Sequence, residues 1–141
     1  PWDFKMDEKQ VQQKYLEFQI IEQQMKEYQQ ELMTLQAQSN ELANLEESLK
    51  EIEKSKDKNE ILTALSPGIF IKTELKNSKE VLMNVGSNVV VPKTIAETIE
   101  IVKDQALKIQ AIAHKLEQDL QLFAQHASSL QQELQELLSK K

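Results

Sequence analysis

The chain of 141 residues contains no cysteine and no arginine, and it has only two glycines, three prolines and 5% aromatic residues. Without cysteine it has neither a disulfide framework nor a thiolate metal site, which is typical of an intracellular protein. Its net charge of −6 and scattered lysines do not provide the clustered positive charge that phosphate binding requires. Apolar runs reach only three residues, as in Val89–Val91. The sequence therefore predicts no nucleic-acid partner and no membrane partner.

The residues that are abundant are glutamine, glutamate, lysine and leucine, a composition typical of long helices and coiled coils. A second helix is predicted over residues 94–139, where Thr94 and Glu97 have the spacing of a capping box. Apolar residues then recur at alternating steps of four and three, the repeat of a left-handed coiled coil. The members of this stripe are Ile95, Ile99, Val102, Ala106, Ile109, Ala113, Leu116, Leu120, Phe123, Ala127, Leu130, Leu134 and Leu137.

A first helix is predicted over residues 7–54, with residues 1–6 expected to be a vector-derived remnant or disordered. Its stripe consists of Val11, Phe18, Ile21, Met25, Tyr28, Leu32, Leu35, Ser39 and Leu42, followed by Leu45, Leu49 and Ile52. The two successive three-residue steps that end at Leu45 predict local overwinding or a change of partner. At ~1.5 Å per residue both helices are roughly 70 Å long, so we expect them to pair as an antiparallel hairpin.

Residues 60–92, between the helices, change from a helical to a strand pattern. Two strands are predicted at Ile61–Leu65 and Ile69–Leu75, around a turn that contains Pro67 and Gly68. Two more are predicted at Val81–Val85 and Asn88–Val91, around a type II′ turn at Gly86-Ser87. The expected fold is therefore mainly α with a small β insert: one domain, residues 1–141, in which two β-hairpins join a long antiparallel two-helix coiled coil.

Each of these hairpins is too small to be stable alone, because a single hairpin is marginal in water. An apolar face and open strand edges are normally paired or covered. We therefore expect hairpins from several chains to oligomerise into a shared β-barrel. The residues expected at this contact are Ile69, Ile71, Val81, Met83, Val85, Val89 and Val91.

Candidate catalytic groups are scarce. His114 and His126 fall at b and g positions of the heptad, so they do not share a face and are expected at the surface. Glu46-Glu47 and Asp57 are interpreted as solvated charges, and neither a phosphate-binding glycine loop nor a serine with a His–Asp constellation is present. The sequence predicts no enzymatic activity, no cofactor and no metal site.

The segment "PGIFIKTELKNSKEVLMNVGSNVVVPKTIAETIEIV", set between two heptad helices of matched length, resembles the alpha-class subunits of prefoldin. Four strands between the helices, rather than two, favour the alpha over the beta class. The chain departs from the family at Gly86-Ser87-Asn88, where Gly-Ala-Gly is common. Asparagine tolerates a left-handed backbone, so the turn is expected to survive.

The resemblance implies a cytoplasmic, ATP-independent co-chaperone subunit. Two alpha-class and four beta-class subunits would form a hexamer, with the hairpins building a central double β-barrel. The coiled-coil tips would capture non-native proteins and deliver them to a group II chaperonin. The alternative is a structural module that oligomerises and tethers other proteins without binding unfolded clients.

An antiparallel hairpin brings the first turns of one helix to the last turns of the other, so both ends contribute to the tip. Our hypothesis is that apolar residues there fray open and cover exposed apolar surface of a client, driven by the area removed from water. They are Val11, Tyr15, Phe18, Leu130, Leu134, Leu137 and Leu138, with Trp2, Phe4 and Met6 as possible additions. The alternative is that Leu130–Leu137 are simply packing residues of the coiled coil.

Overall fold

The computed structural model describes the backbone of residues 2–139 and the side chains of residues 8–139. The elements are α1 (Trp2–Lys54), β1 (Glu60–Ser66), β2 (Ile69–Glu74), β3 (Glu80–Gly86), β4 (Val89–Thr94) and α2 (Ile95–Ser139). The predicted fold class, two long helices joined by two antiparallel hairpins, is confirmed. Helix α1 begins before the expected start at residue 7, because no proline or glycine interrupts residues 2–7.

The chain divides into two compact units. The helical unit consists of residues 1–38 and 109–141, and the hairpin unit consists of residues 39–108. The side chains of Trp2, Phe4 and Met6, and the residues Lys140 and Lys141, lie outside the described part of the chain.

In the helical unit the predicted stripes pack against each other as a seam between α1 and α2. The most buried members are Ile21, Leu35, Leu116 and Leu130. The rings of Tyr28 and Phe123 meet edge to face across the seam, with centroids 5.3 Å apart. Every predicted α2 stripe residue is buried or half-buried, which confirms that stripe.

The α1 stripe contains a charged member that the apolar pattern passed over. Lys14 lies between Val11 and Phe18 and is half-buried in the seam, where its ammonium forms an ion pair with Glu133 of α2. A long aliphatic stem lets lysine fill a seam position while its charged end reaches a partner. The alternation of three and four is thereby complete at this end of α1.

In the hairpin unit the core lies where both helices meet the second hairpin. Leu49 of α1 packs with Ile95, Ile99 and Val102 of α2, and Val81 of β3 packs against this cluster. Ile95 is only 1% exposed, which makes it the most deeply buried large side chain within residues 8–139. The first turn of α2 is therefore held in place by packing against α1 and against the second hairpin.

The predicted stripe position at Leu45 is wrong. Leu45 is 44% exposed, and Glu46 occupies the seam instead, so the alternation of four and three continues from Leu42 through Glu46 to Leu49. The Glu46 carboxylate lies 3.3 Å from the ammonium of Lys50 and 3.9 Å from that of Lys103 on α2. These two cations allow a carboxylate at a seam position, where the apolar pattern alone indicated a break.

The two hairpins repeat the same design twenty residues apart. Glu60 pairs with Glu74 and Glu80 with Thr94, and both registers shift at the sixth residue of the first strand, Leu65 or Val85. Gly68 has a φ of +84°, the value that a type II turn requires at that position. The first hairpin thus has the turn that Pro67-Gly68 predicted.

The predicted type II′ turn at Gly86-Ser87 is wrong by one residue. Gly86 pairs with Val89, so the two loop residues are Ser87 and Asn88, with φ of +50° and +60°. Positive φ at both loop residues defines a type I′ turn, whose twist matches that of paired strands. Asn88 takes the left-handed conformation, as expected. Gly86, just before the turn, has a φ of +121°, a backbone conformation that glycine adopts readily.

Hydrogen bonds at the base of the hairpins connect them to both helices. The Thr94 hydroxyl accepts from the amide of Glu97 at 3.0 Å, which is the N-cap predicted for α2. The Asp57 carboxylate, after α1, accepts from the amide of Ser78 in the β2–β3 connection at 2.7 Å. This hydrogen bond holds the pKa of Asp57 below its ordinary value of 3.8.

Candidate functional site

The seven residues expected at the tip lie in the helical unit and fall into three groups by exposure. Leu130 is 3% exposed and is therefore a seam residue that could reach a client only if the helices opened locally. Val11, Phe18, Leu134 and Leu137 are half-buried. Tyr15 and Leu138 are more than half exposed and present apolar surface without any rearrangement.

Two further exposed apolar residues lie at this end of α1. Leu16 and Ile20 are each 57% exposed, and their spacing of four residues places them on one helix face. Both occupy heptad positions outside the a/d seam, which are normally polar. That pair of large apolar residues at solvent-facing positions was the available sequence signal, and a search restricted to the seam missed it.

Leu16 and Ile20 border an open groove that also includes Leu137 of α2. We call it the terminal groove; it is lined by Gln10, Gln13, Lys14, Leu16, Glu17, Ile20, Glu133, Glu136 and Leu137, with a volume of about 670 Å³. Its walls combine aliphatic side chains with carboxylates, and Lys14 and Glu133 meet as an ion pair within it. The groove can cover apolar surface of a partner while its charged groups remain hydrated.

A second groove in the helical unit lies further along the seam. It is lined by Phe18, Glu22, Met25, Lys26, Gln29, Ala124, Ala127, Ser128 and Gln131, with a volume of about 590 Å³. The small residues of α2 leave this space beside Phe18 and Met25. The exposed end of the seam is therefore flanked by two shallow concave surfaces.

The residues expected at the oligomerisation contact lie in both hairpins, with different exposure. Val81, Met83 and Val91 are half-buried on the face of the second hairpin that packs toward the helices of its own chain. Ile69, Ile71, Val85 and Val89 are between 44% and 57% exposed. The second group is thus the part of the expected contact that remains accessible.

The opposite face of each hairpin also carries exposed apolar residues. Leu62 and Phe70 lie on this face of the first hairpin, and Leu82 and Val90 lie on that of the second, all between 53% and 74% exposed. We call these four residues the outer hairpin face. Strands that are apolar on both sides indicate burial on both sides. The near-continuous apolar runs around Phe70 and Val90 carried this signal, which an assumption of a single apolar face overlooked.

Within residues 8–139, whose side chains the structure describes, no group of three or more histidine, aspartate or glutamate side chains could hold a metal ion. His114 and His126 are exposed, as expected. In the same part of the chain, neither α1 nor α2 contains an apolar stretch long enough to cross a bilayer.

Comparison with known proteins identifies relatives along most of the chain. The family model for the prefoldin subunit matches residues 21–140. Prefoldin subunit alpha of Archaeoglobus fulgidus is 36% identical over 127 residues, covering 90% of this chain and 93% of that subunit. Prefoldin subunit alpha 1 of Methanocaldococcus jannaschii is 28% identical over 130 residues, covering 92% of this chain and 89% of that subunit.

A solved structure shares the fold. The cryo-electron microscopy structure of filamentous PFD from Methanocaldococcus jannaschii superposes with a TM-score of 0.65 at 16% identity, covering 87% of this chain and 96% of that one. The family match, the alpha-subunit relatives and the helix–two-hairpin–helix order agree with the resemblance found in the sequence. The chain belongs to the prefoldin family.

Proposed function

We propose that the protein is a subunit of an ATP-independent co-chaperone, which captures non-native proteins and delivers them to a group II chaperonin. Membership in the prefoldin family carries this proposal, because prefoldin subunits are chaperone components rather than enzymes. We also propose the cytoplasm as its location. Two surfaces of the structure, one on the hairpins and one at the end of the helical unit, support the assignments proposed below.

The hairpins are the proposed assembly surface. Each hairpin is a separate two-stranded sheet with both edges open, and its outer face carries exposed apolar residues. Such edges and faces are stable when another chain pairs with them. We propose that beta-class subunits do so, giving a hexamer of two alpha-class and four beta-class chains. The exposed residues Ile69, Ile71, Val85 and Val89, together with the outer hairpin face, would become buried.

The end of the helical unit is the proposed client site. Tyr15, Leu16, Ile20 and Leu138 expose apolar surface there. Leu16 and Ile20 line the terminal groove, so their part of this surface is concave. Non-native proteins expose apolar side chains that gain free energy when they are removed from water. Leu130, only 3% exposed, remains a seam residue.

The test combines native mass spectrometry with light scattering. Mixed with beta-class prefoldin subunits, the chain should form a hexamer and suppress aggregation of a chemically denatured protein without ATP. A hexamer without suppression would identify the alternative, a structural tethering module. A monomer, a simple dimer or an open-ended polymer of this chain alone in that mixture would contradict the proposed assembly.

A further inference from the structure

We propose that the terminal groove selects client segments in which lysine or arginine lies beside large apolar residues. This inference rests on the proposed function, since it names the class of client that the groove would accept. The inference is based on the distribution of charge around the groove. The apolar area of the groove provides the affinity, and the charges provide the selectivity.

The groove has an excess of negative charge. Of the described residues that line it, three carry a carboxylate, Glu17, Glu133 and Glu136, and one carries an ammonium, Lys14. Lys14 is engaged by Glu133. Glu17 and Glu136 are exposed, and among the described residues neither has an ion-pair partner. Two carboxylates are therefore left to face whatever enters the groove.

These carboxylates alternate with the apolar walls. Glu17 follows Leu16 and precedes Ile20 on α1, and Glu136 adjoins Leu137 on α2. A client segment that covers Leu16, Ile20 and Leu137 therefore brings its own flanking side chains to Glu17 and Glu136. Lysine or arginine at those places forms ion pairs at the rim, whereas aspartate or glutamate meets like charge, a discrimination typical of rim charges.

The second groove provides an internal contrast. Its lining contains one carboxylate, Glu22, and one ammonium, Lys26, so its charges balance. An apolar segment flanked by positive residues and one flanked by negative residues would fit there equally well. The excess of carboxylates is thus a feature of the terminal groove that the second groove does not share.

The experiment uses three short fluorescein-labelled peptides with the same leucine positions and with lysine, serine or glutamate at the remaining positions. Binding to the full-length chain is measured by fluorescence anisotropy at low and at high salt. The lysine peptide should bind roughly tenfold more tightly than the glutamate peptide, since each exposed ion pair contributes modestly, and salt should reduce the difference. The serine peptide should fall between the two.

A pair of matched variants assigns the effect to the groove. Glu17→Gln with Glu136→Gln should reduce the preference to about twofold or less, while Glu27→Gln with Glu117→Gln, which removes the same charge elsewhere in the helical unit, should preserve it. Equal binding of all three peptides by the unaltered chain overturns the charge selection but leaves client capture standing. No binding of any peptide overturns both. A preference that persists without Glu17 and Glu136 overturns the assignment to the groove.

Discussion

Replacing Leu16 and Ile20 by serine should weaken client binding without affecting the fold. Each side chain is 57% exposed. Complete burial of a leucine or isoleucine side chain is worth about 1.5–3 kcal/mol, so covering the exposed part of both is worth roughly 2–3 kcal/mol. The ordering of the client offsets part of this gain, and the double variant should bind about tenfold to a hundredfold more weakly.

The assay is fluorescence anisotropy of a labelled, reduced and carboxymethylated lactalbumin, which cannot refold, titrated with the full-length chain. The matched control is Met33→Ser with Leu122→Ser, which removes two large side chains that are 75% and 62% exposed in the same unit but outside the groove. Both double variants should keep their thermal transitions, because exposed substitutions shift stability by about 0.5 kcal/mol or less. Equal affinities of the two double variants would refute the assignment of client binding to the terminal groove.

Three further predictions concern the hairpin unit. Ile95→Ala should lower the free energy of unfolding in urea by about 2–5 kcal/mol, because it leaves a cavity in the core; a loss no larger than that of exposed Leu107→Ala would contradict this. Asp57→Ala should destabilise the chain at neutral pH. Because the pKa of Asp57 is lowered in the folded protein, its stabilising effect is present above the unfolded pKa and disappears as the pH falls through the folded pKa. The difference in thermal midpoint between the two proteins should therefore shrink below about pH 4. A difference that stays constant with pH would contradict this role of Asp57. Asn88→Val should cost about 1–3 kcal/mol in urea unfolding, since a β-branched residue is strained at a φ of +60°, whereas Asn88→Gly should be tolerated; equal losses would exclude strain as the cause.

The helices were predictable where the seam is apolar throughout. The α2 stripe from Ile95 to Leu137 is uninterrupted, and the structure buries or half-buries every member. Prediction failed where a charge fills a seam position, at Lys14 and Glu46. A pattern of apolar residues cannot show that Glu133 or Lys103 will stand opposite, because those partners are set by the pairing of two distant segments.

The hairpins were predictable in number and position, because Pro67-Gly68 and Gly86 mark the two reversals. The exact turn at Ser87-Asn88 was not, since glycine and asparagine both permit positive φ and only the strand register decides which of them forms the loop.

At the candidate site the sequence placed apolar residues at the start of α1 and the end of α2, which the structure brings together at the terminal groove. The stripe separated Leu130, a member, from Leu138, which lies beside it, but it did not indicate how deeply each member is buried. Leu130 is 3% exposed, whereas the stripe members Leu134 and Leu137 are half-buried, because burial depends on the phase of each helix against its neighbour. Leu16 and Ile20, by contrast, were recognisable in the sequence as large apolar residues outside the a/d seam.

The central claim is that the hairpins assemble the particle while the end of the helical unit holds the client. Site-specific photo-crosslinking tests it directly, with a photoreactive amino acid placed at Leu16, at Phe70 or, as a control, at Leu122. In the particle formed with beta-class subunits and a denatured labelled protein, position 16 should crosslink to the client, position 70 to a partner subunit, and position 122 to neither. Client crosslinks at position 70 and none at position 16 would contradict the account.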